Sequence, residues 1–250
     1  VLPIFIFDNH ILDQLPAADP RVTFIHQLLE KINATLTSLG KSLAVFYGDP
    51  LSIFKQLIAE NDIKCVFTNH DYKPDARKRD QAVTSLLHEH NIDFKSYKDQ
   101  VIFEKSDILK DDGTPYIMYT PFSRKWKSSL QASSTTILHS EKLLDKIAQH
   151  NYPFLSLTDI GFTPSRIAVK PFNTTEKLIH NYHQTRDFPA LGQTSVLGPH
   201  LRFGSVSIRK IVALAIQQEE TFLNELIWRE FFMQILWHFP ATVTKDFKPK

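Results

Sequence analysis

Short apolar runs alternate with helical patterns through the first hundred residues, and this alternation restricts the fold more than any other feature. The helical stretches place apolar residues three or four positions apart. The apolar runs are residues 2–7, 43–47 and 65–67, and the helical stretches are 24–39, 51–60 and 77–90. Uninterrupted apolar strands that alternate with helices are typical of a parallel sheet covered on both faces. Residues 1–130 are therefore predicted to form an α/β domain with a parallel, Rossmann-like sheet, in which residues 101–103 form a short extended piece.

The character of the sequence changes near residue 130. Residues 131–165 are rich in Ser, Thr and Pro and are predicted to be a long connection. The pattern then becomes helical, most clearly over 206–218 and 221–239, so residues 166–250 are predicted to be the first part of a helical domain. The chain begins inside a predicted strand without Met and stops just after an aromatic-rich helix. We therefore expect it to be trimmed at both ends.

The cysteine count and the hydropathy of the sequence limit the cellular compartment in which we expect the chain. Cys65 is the single cysteine, so neither an intrachain disulfide nor a cysteine metal site can form. This usage suits a reducing compartment, and we expect the cytoplasm. No apolar run is long enough to span a bilayer. The net charge of +2 leaves a nucleic-acid partner open, because a basic face can coexist with a total near zero.

The sequence lacks the motifs that several classes of enzyme require. The chain has seven glycines and neither a GxGxxG nor a Walker A loop, so the common phosphate cradles are missing. Neither GxSxG nor HExxH occurs. Neighbouring side chains on a helix point in different directions, so residues 88–90, His-Glu-His, are interpreted as a solvated helix end and no metal site is predicted.

One predicted helix combines groups that could hold a ligand. Within residues 222–232, Glu225, Trp228, Arg229 and Phe232 share a face, with Phe222 one turn back. A carboxylate, a guanidinium and an aromatic plate can hold a planar, polar ligand such as a base or the edge of a flavin. Alternatively, Glu225 and Arg229 form an ion pair within the helix beside a half-buried Trp228. Periodicity alone favours the second interpretation.

Hydroxyl side chains precede another predicted helix. Thr194 and Ser195 can cap that helix. They can equally leave the N–H groups of its first turn free to bind a phosphate. Capping is the commoner use of such residues, so their position alone favours a cap.

The motifs of the chain, taken in order, resemble those of the DNA photolyase and cryptochrome family. The second half contains Tyr-x3-Arg-Asp-x-Pro from residue 182, Thr-Ser-x-Leu from 194, Leu-x-Phe-Gly from 201 and Phe-Leu-x-Glu-Leu-x-Trp-Arg-Glu-Phe from 222. The first half contains Asn-x2-Tyr-x-Pro from residue 69, Val-Ile-Phe-Glu from 101 and Tyr-Thr-Pro-Phe-x3-Trp from 119. Each block is weak, but the series covers nearly the whole chain in the family's order and is highly specific.

The resemblance implies a fold, a cofactor and a reaction. In this family FAD lies folded inside a helical domain, which follows an α/β domain that often holds an antenna chromophore. Excited reduced FAD passes an electron to a cyclobutane pyrimidine dimer in DNA, the ring splits, and the electron returns. The lesion is flipped out of the stack, because the flavin cannot reach it inside. We therefore expect a monomeric, light-driven lyase that acts on dimer-containing DNA and has no membrane partner.

The resemblance also assigns residues to the cofactor by motif position. Four residues match family positions that contact the FAD phosphates and ribityl chain: Tyr182, Thr194, Ser195 and Leu197. Phe222 and Arg229 match positions that line the flavin pocket.

Three further residues match positions that face the DNA. Glu225 matches the carboxylate that hydrogen-bonds the dimer, and Trp228 matches the aromatic ring that stacks on it. These two are the predicted catalytic residues. Arg186 matches an arginine that contacts DNA.

Departures from the family pattern limit what this chain is expected to do alone. Asp75 and Ala76 stand where folate-using relatives have Asn-Glu, so the antenna, of folate or deazaflavin type, is left unassigned. Relatives continue through helices that complete the flavin pocket, so we expect this chain by itself to bind FAD weakly or not at all and to repair nothing. A photoreceptor of cryptochrome type, an inactive photolyase fragment and repair of the (6-4) photoproduct stay open as alternatives.

Overall fold

The computed structural model describes residues 1–131 and 137–247. The strands are β1 (Ile4–Asp8), β2 (Ala44–Gly48), β3 (Cys65–Asn69) and β4 (Asp93–Tyr97). The α-helices are α1 (Asn9–Leu12), α2 (Pro20–Thr37), α3 (Pro50–Glu60), α4 (Pro74–Glu89), α5 (Tyr119–Gln131), α6 (Glu176–His180), α7 (Tyr182–Thr185), α8 (Leu197–Arg202), α9 (Ile208–Gln218) and α10 (Glu220–His238). Short 3₁₀ helices lie at Ser140–Lys146, Pro189–Leu191 and Pro240–Val243. None of the helices in the described part of the chain is long and apolar enough to cross a membrane.

The chain folds as two compact units, each assembled from separated stretches of sequence. Unit 1 consists of Val1–Lys64, Ala82–Ile92 and Leu138–Lys170. Unit 2 consists of Cys65–Gln81, Asp93–Ile137 and Pro171–Lys250.

Unit 1 contains a parallel pair of strands whose carboxyl ends lead directly into helices. β1 and β2 pair in parallel along their whole length. Asp8 begins α1 by accepting a hydrogen bond from the N–H of His10, and Asp49 begins α3 by accepting one from the N–H of Ser52. Pro50 follows at the first turn of α3, where its missing N–H costs no hydrogen bond. Each predicted strand end therefore coincides with a helix start.

The core of unit 1 includes side chains from the stretch that was predicted to be a connection. Phe7 of β1 and Val45 of β2 pack in one cluster with Ile160 and Phe162, which are only 1% and 6% exposed. Residues 138–170 thus belong to this unit, because apolar side chains recur among their polar neighbours. Residues 132–136 of the predicted connection lie outside the described residues, and the domain boundaries near residues 130 and 165 stay a prediction.

Unit 2 combines the parallel pair β3 and β4 with the helices α5 to α10. Its core contains Phe122 and Trp126 of α5 together with Ile227 and Phe231 of α10, all of them buried. Each such side chain stabilises the fold by about 1.5–3 kcal/mol relative to an exposed one. This packing fixes α10 against α5 and determines which of its side chains reach the surface.

One side of α10 binds the backbone of residues 102–105. Glu230 accepts hydrogen bonds from two N–H groups of this segment over 2.7 and 2.9 Å. Gln234 and His238, one and two turns further, contact carbonyl oxygens of the same segment at 2.9 and 2.8 Å. Residues 101–103 were predicted to be a short extended piece. They are not part of a strand, because backbone groups of Ile102 and Phe103 bind side chains of α10.

Candidate functional site

Helix α10 carries four of the nine predicted site residues. Its observed bounds, Glu220–His238, agree with the predicted range 221–239 to one residue at each end. The preceding residue, Glu219, caps the helix by accepting a hydrogen bond from the N–H of Thr221. Because Leu226 and Ile227 are buried in the core of unit 2, the side chains of Glu225 and Trp228 are left partly exposed.

Glu225 forms an ion pair with Arg186. Nη1 of Arg186 donates a hydrogen bond of 2.6 Å to Oε1 of Glu225, and the two side chains are 36% and 35% exposed. Nε of Arg186 also lies 3.5 Å from the carboxylate of Asp187. The ion pair expected between Glu225 and Arg229 within the helix is therefore wrong. Two of the three residues predicted to face DNA are instead brought into direct contact.

Trp228, the third of these residues, lies in a stack of aromatic rings. The ring of Tyr119 is parallel to it, with centroids 3.6 Å apart and planes 5° apart. Phe232, one turn further along α10, has its centroid 5.4 Å away at 25°. The Tyr119 hydroxyl donates to the carbonyl oxygen of Asn224 over 3.0 Å, and burial raises its pKa, so it stays a donor. The stack holds the indole plane in one orientation.

Tyr119 is a site residue that the sequence analysis missed. It opens the block Tyr-Thr-Pro-Phe-x3-Trp, which carried the family resemblance but was not assigned a role. No periodicity links it to Trp228, since 109 positions separate the two. The block itself was the available signal.

The predicted cofactor residues Tyr182, Phe222 and Leu197 lie on the inner side of unit 2. Phe222 meets Tyr182 edge to face, with centroids 5.1 Å apart and planes at 89°. Phe222 and Leu197 are only 3% and 5% exposed and belong to one core cluster, against which Tyr182 packs. The structure therefore brings Tyr182 and Phe222 into contact and places Leu197 in the same core.

The hydroxyls of Thr194 and Ser195 do not cap a helix. α8 begins at Leu197, and its N-cap is Val196, whose φ of +55° is unusual for a β-branched residue. No side chain caps this helix, so the expected cap is wrong. Among the described hydrogen bonds, none joins the side chain of Thr194 or Ser195 to Tyr182 or Phe222. Thr194 is exposed and Ser195 is partly exposed.

Arg229 binds backbone carbonyl groups instead of a carboxylate. Its Nη1 donates to the carbonyl oxygen of Gln100 over 2.7 Å, and its Nη2 lies 3.4 Å from that of Leu201. Burial lowers the pKa of the guanidinium; Glu230 opposes this shift, and Arg202 adds to it. Arg229 also lines a cavity of about 370 Å³, which the other predicted site residues do not reach.

Glu230 is a buried carboxyl group that the sequence analysis did not single out. It is 2% exposed and accepts hydrogen bonds from the N–H groups of Ile102 and Phe103 and, over 2.6 Å, from the indole N–H of Trp126. Burial raises its pKa to about 7, although the three donors favour the charged form. A glutamate beside an arginine normally indicates a solvated helix face, so its sequence position gave no sign of burial.

FAD, the cofactor that the resemblance implies, fits the described residues only in part. The exposed hydroxyl of Thr194 and the partly exposed one of Ser195 are suitable donors to a phosphate. Phe222 and Leu197, by contrast, are covered by other side chains of the chain itself. No aromatic face at Phe222 is free for a flavin ring, so these residues form at most one part of a flavin pocket.

Comparison with known sequences identifies relatives along the whole chain. The sequence model of the DNA photolyase family matches residues 1–141. The chain is 28% identical to the deoxyribodipyrimidine photo-lyase of Halobacterium salinarum over 99% of its own length and 56% of that protein's. It is likewise 28% identical to the photo-lyase of a Synechococcus species, over 96% of its own length and 56% of that protein's. The chain thus spans about half the length of the curated relatives it matches.

A solved structure agrees with the predicted fold. A class III photolyase from Agrobacterium tumefaciens superposes on the chain with a TM-score of 0.77 at 23% identity, covering 99% of this chain and 55% of that one. At this identity the likeness concerns the fold alone. It confirms the predicted order of an α/β domain followed by helices.

Proposed function

Because this chain belongs to the DNA photolyase family, we propose that the complete protein is a deoxyribodipyrimidine photolyase, which splits cyclobutane pyrimidine dimers in DNA with light. One observation supports this activity in addition to family membership. α10 presents a carboxylate, Glu225, and an indole, Trp228, one turn apart, and both side chains are partly exposed. A hydrogen-bond acceptor beside a flat aromatic surface suits a flipped-out pair of bases.

Each of these two residues has a distinct part in holding the lesion. The carboxylate of Glu225 accepts hydrogen bonds from N–H groups on the edge of a pyrimidine. Trp228 offers the stacking surface, and Tyr119 fixes its plane in advance, so little side-chain entropy is lost when a base stacks. Together they position the dimer. Reduced FAD, when bound, supplies the electron that light excites.

Arg186 links lesion binding to the DNA backbone. In the described state its guanidinium is paired with Glu225. A phosphate competes well for a guanidinium, because the planar fork can bind two phosphate oxygens. We propose that DNA draws Arg186 toward a phosphate and frees the carboxylate of Glu225 for the base. The pair thereby keeps Glu225 neutralised until DNA arrives.

The 250-residue chain alone is proposed to bind FAD weakly or not at all. The support is the burial of Phe222 and Leu197 against the chain's own core, which leaves no open flavin surface there. A purified 250-residue chain that retains one flavin per protein would contradict this part of the proposal.

The decisive experiment measures repair by the full-length protein. It is loaded with FAD, reduced, mixed with an oligonucleotide that contains one cyclobutane dimer, and illuminated with blue light. We expect the dimers to disappear in proportion to the light dose. Trp228→Ala should weaken binding of the dimer-containing strand about 10- to 100-fold, since stacking on an aromatic ring contributes about 1–3 kcal/mol per base.

Trp237→Ala is the matched control, because Trp237 packs against Arg77 and Tyr72 and takes no part in the stack with Tyr119. It should leave binding of the dimer unchanged. Flavin that photoreduces while the dimers persist would reject repair and favour a photoreceptor of cryptochrome type.

A further inference from the structure

A serine, a histidine and a glutamate form a chain of hydrogen bonds in unit 2. Ser96 lies in β4, His70 directly follows β3, and Glu104 lies between β4 and α5. Oγ of Ser96 lies 2.9 Å from Nε2 of His70, and Nδ1 of His70 lies 2.5 Å from Oε1 of Glu104. One imidazole thus connects a hydroxyl to a carboxylate. The residues that are proposed to hold the lesion take no part in these contacts.

The carboxylate at one end determines which nitrogen of the neutral imidazole carries the proton. An ionised carboxylate only accepts hydrogen bonds, so the proton lies on Nδ1, which faces Glu104. Nε2 is then unprotonated and accepts the hydrogen bond of the Ser96 hydroxyl. In this arrangement a histidine can act as a general base toward a serine, because the unprotonated nitrogen already contacts the hydroxyl that must lose its proton.

Further hydrogen bonds hold the histidine and the glutamate in place. The Tyr72 hydroxyl donates to the same oxygen of Glu104 over 2.8 Å. Burial is the main reason that the pKa of Tyr72 is raised, so this phenol remains a donor. The N–H of His70 donates to the carbonyl oxygen of Tyr97 over 2.9 Å, and the side-chain amide of Gln100 donates to the carbonyl oxygen of His70 over 3.3 Å. The positions of the base and of its carboxylate are therefore fixed before any substrate arrives.

The serine is more accessible than its two partners. Ser96 is exposed, whereas the side chains of His70 and Glu104 are only 21% and 12% exposed. A reagent in solution can therefore reach the hydroxyl, while the base and the carboxylate are largely covered.

The backbone N–H of Ser96 is suitably directed to stabilise negative charge beside Oγ. Among the described strands, β4 pairs with β3 alone, so its other edge is open. The carbonyl group of Tyr97 points toward β3, because it accepts the N–H of His70. The backbone groups of successive residues in a strand point alternately to its two sides, so the N–H of Ser96 points to the open edge. It can donate to the oxygen of a carbonyl group that Oγ attacks.

We propose that Ser96 is a nucleophile that cleaves small carboxylic esters, with His70 as its general base and Glu104 as the residue that orients the base. Small esters are the expected substrates because Ser96 lies on an open strand edge, where few contacts can hold a large ligand. The reaction requires neither light nor flavin nor DNA, and it is separate from the proposed repair activity.

The reaction proceeds through an acyl group on the serine. Oγ of Ser96 bonds to the carbonyl carbon while its proton passes to Nε2 of His70. His70 then gives this proton to the alcohol oxygen as the bond between that oxygen and the acyl carbon breaks. A water molecule, deprotonated by the same nitrogen, hydrolyses the acyl-serine, which releases the carboxylic acid and restores Ser96 and His70.

The first test treats the 250-residue chain in the dark with a fluorophosphonate, which bonds to a nucleophilic serine and releases fluoride. We expect one adduct per chain, and mass spectrometry of proteolytic fragments should place it on Ser96. Ser96→Ala should form no adduct. His70→Gln should react at least about 100-fold more slowly, since a positioned general base contributes about 10²–10⁴-fold.

The second test measures hydrolysis of p-nitrophenyl acetate in the dark. Ser96→Ala and His70→Gln should lower the rate at least about 100-fold. Glu104→Gln, which loses the charge that orients the imidazole, should lower it at least about tenfold. Ser128→Ala and His90→Gln are the matched controls, at an exposed serine of α5 and an exposed histidine just after α4, and they should keep the full rate.

Circular dichroism shows whether each variant is folded. The proposal fails if the fluorophosphonate labels no residue or a residue other than Ser96. It also fails if Ser96→Ala hydrolyses the ester as fast as the unchanged chain, or if a control variant loses as much activity as Ser96→Ala. In the full-length protein Ser96→Ala should leave light-driven repair of dimers unchanged, so failure here and failure of the proposed function are distinguishable.

Discussion

The indole N–H of Trp126 donates a 2.6 Å hydrogen bond to the carboxylate of Glu230, which lies fully inside unit 2. The same carboxylate binds two backbone N–H groups of residues 102–105. One ionisable group thus joins α5, α10 and the segment of residues 102–105 that precedes α5. It lies on the same helix as Glu225 and Trp228.

Glu230 makes the stability of the chain depend on pH between about 4.5 and 7. Burial raises its pKa from 4.5 to about 7, so folding favours the protonated form. The contribution of Glu230 to the free energy of unfolding is fully present below pH 4.5. It decreases as the pH rises through 7, by about 2–3 kcal/mol between pH 5 and pH 8. Urea unfolding at both pH values measures it. Glu230→Gln, which cannot titrate, should lose less stability over this range, and an equal loss in both proteins would refute the assignment.

Tyr119 should contribute to stability through its ring more than through its hydroxyl. Tyr119→Phe keeps the stack on Trp228 and loses the hydrogen bond to Asn224, which should cost about 1 kcal/mol. Tyr119→Ala loses both and should cost about 2–3 kcal/mol. The free energy of unfolding in urea distinguishes them. Tyr97→Ala, at an exposed tyrosine of the same unit, should cost less than 1 kcal/mol. A larger effect at Tyr97 than at Tyr119 would show that the stack is unimportant.

Arg186 should matter more for DNA than for folding. Its ion pair with Glu225 is about one third exposed, so Arg186→Gln should change the free energy of unfolding by less than about 1 kcal/mol. In the full-length protein, the same change should weaken binding of dimer-containing DNA. The slope of the logarithm of the binding constant against the logarithm of the salt concentration should also become less steep, by the amount expected for the loss of about one phosphate contact. Lys177→Gln, at an exposed lysine of α6, is the control. An unaltered salt slope in Arg186→Gln would remove this residue from the DNA interface.

Asp49 should stabilise unit 1 as the cap of α3. Its carboxylate accepts hydrogen bonds from the N–H and the hydroxyl of Ser52, and the hydroxyl bond is the main reason that its pKa is lowered. A lowered pKa means that the stabilisation is present above about pH 3.8 and is lost as the pH falls below it. Asp49→Ala should therefore cost about 1 kcal/mol at pH 7 and less at pH 3. Asp62→Ala, at an exposed ion pair, should cost little at either pH, and equal costs for both variants would argue against the cap.

Local patterns predicted the elements well, because the hydrophobic period depends only on nearby residues. The bounds of α10 were predicted to one residue at each end for this reason. Partners of polar side chains were not predictable in the same way. Glu225 is at the right spacing to pair with Arg229, but it pairs with Arg186, which lies 39 positions earlier.

The burial of Glu230 shows the same limit. Its partners are N–H groups of Ile102 and Phe103, about 130 positions earlier, and backbone groups leave no mark in the sequence. The value of the resemblance lay in the motif order, which selected the helix that carries Glu225 and Trp228 of the proposed site. It did not reveal which side chains that helix turns inward.

The interleaved stretches of the two units have a consequence for synthesis of the chain on the ribosome. Residues 65–81 and 93–137 of unit 2 are translated long before α10, and residues 138–170, which complete unit 1, come between them. Until α10 emerges, the N–H groups of residues 102 and 103 lack Glu230, and the apolar side chains around Trp126 lack their cover. The nascent chain therefore passes through a stage at which the incomplete second unit exposes apolar side chains, and aggregation is most favoured at that stage.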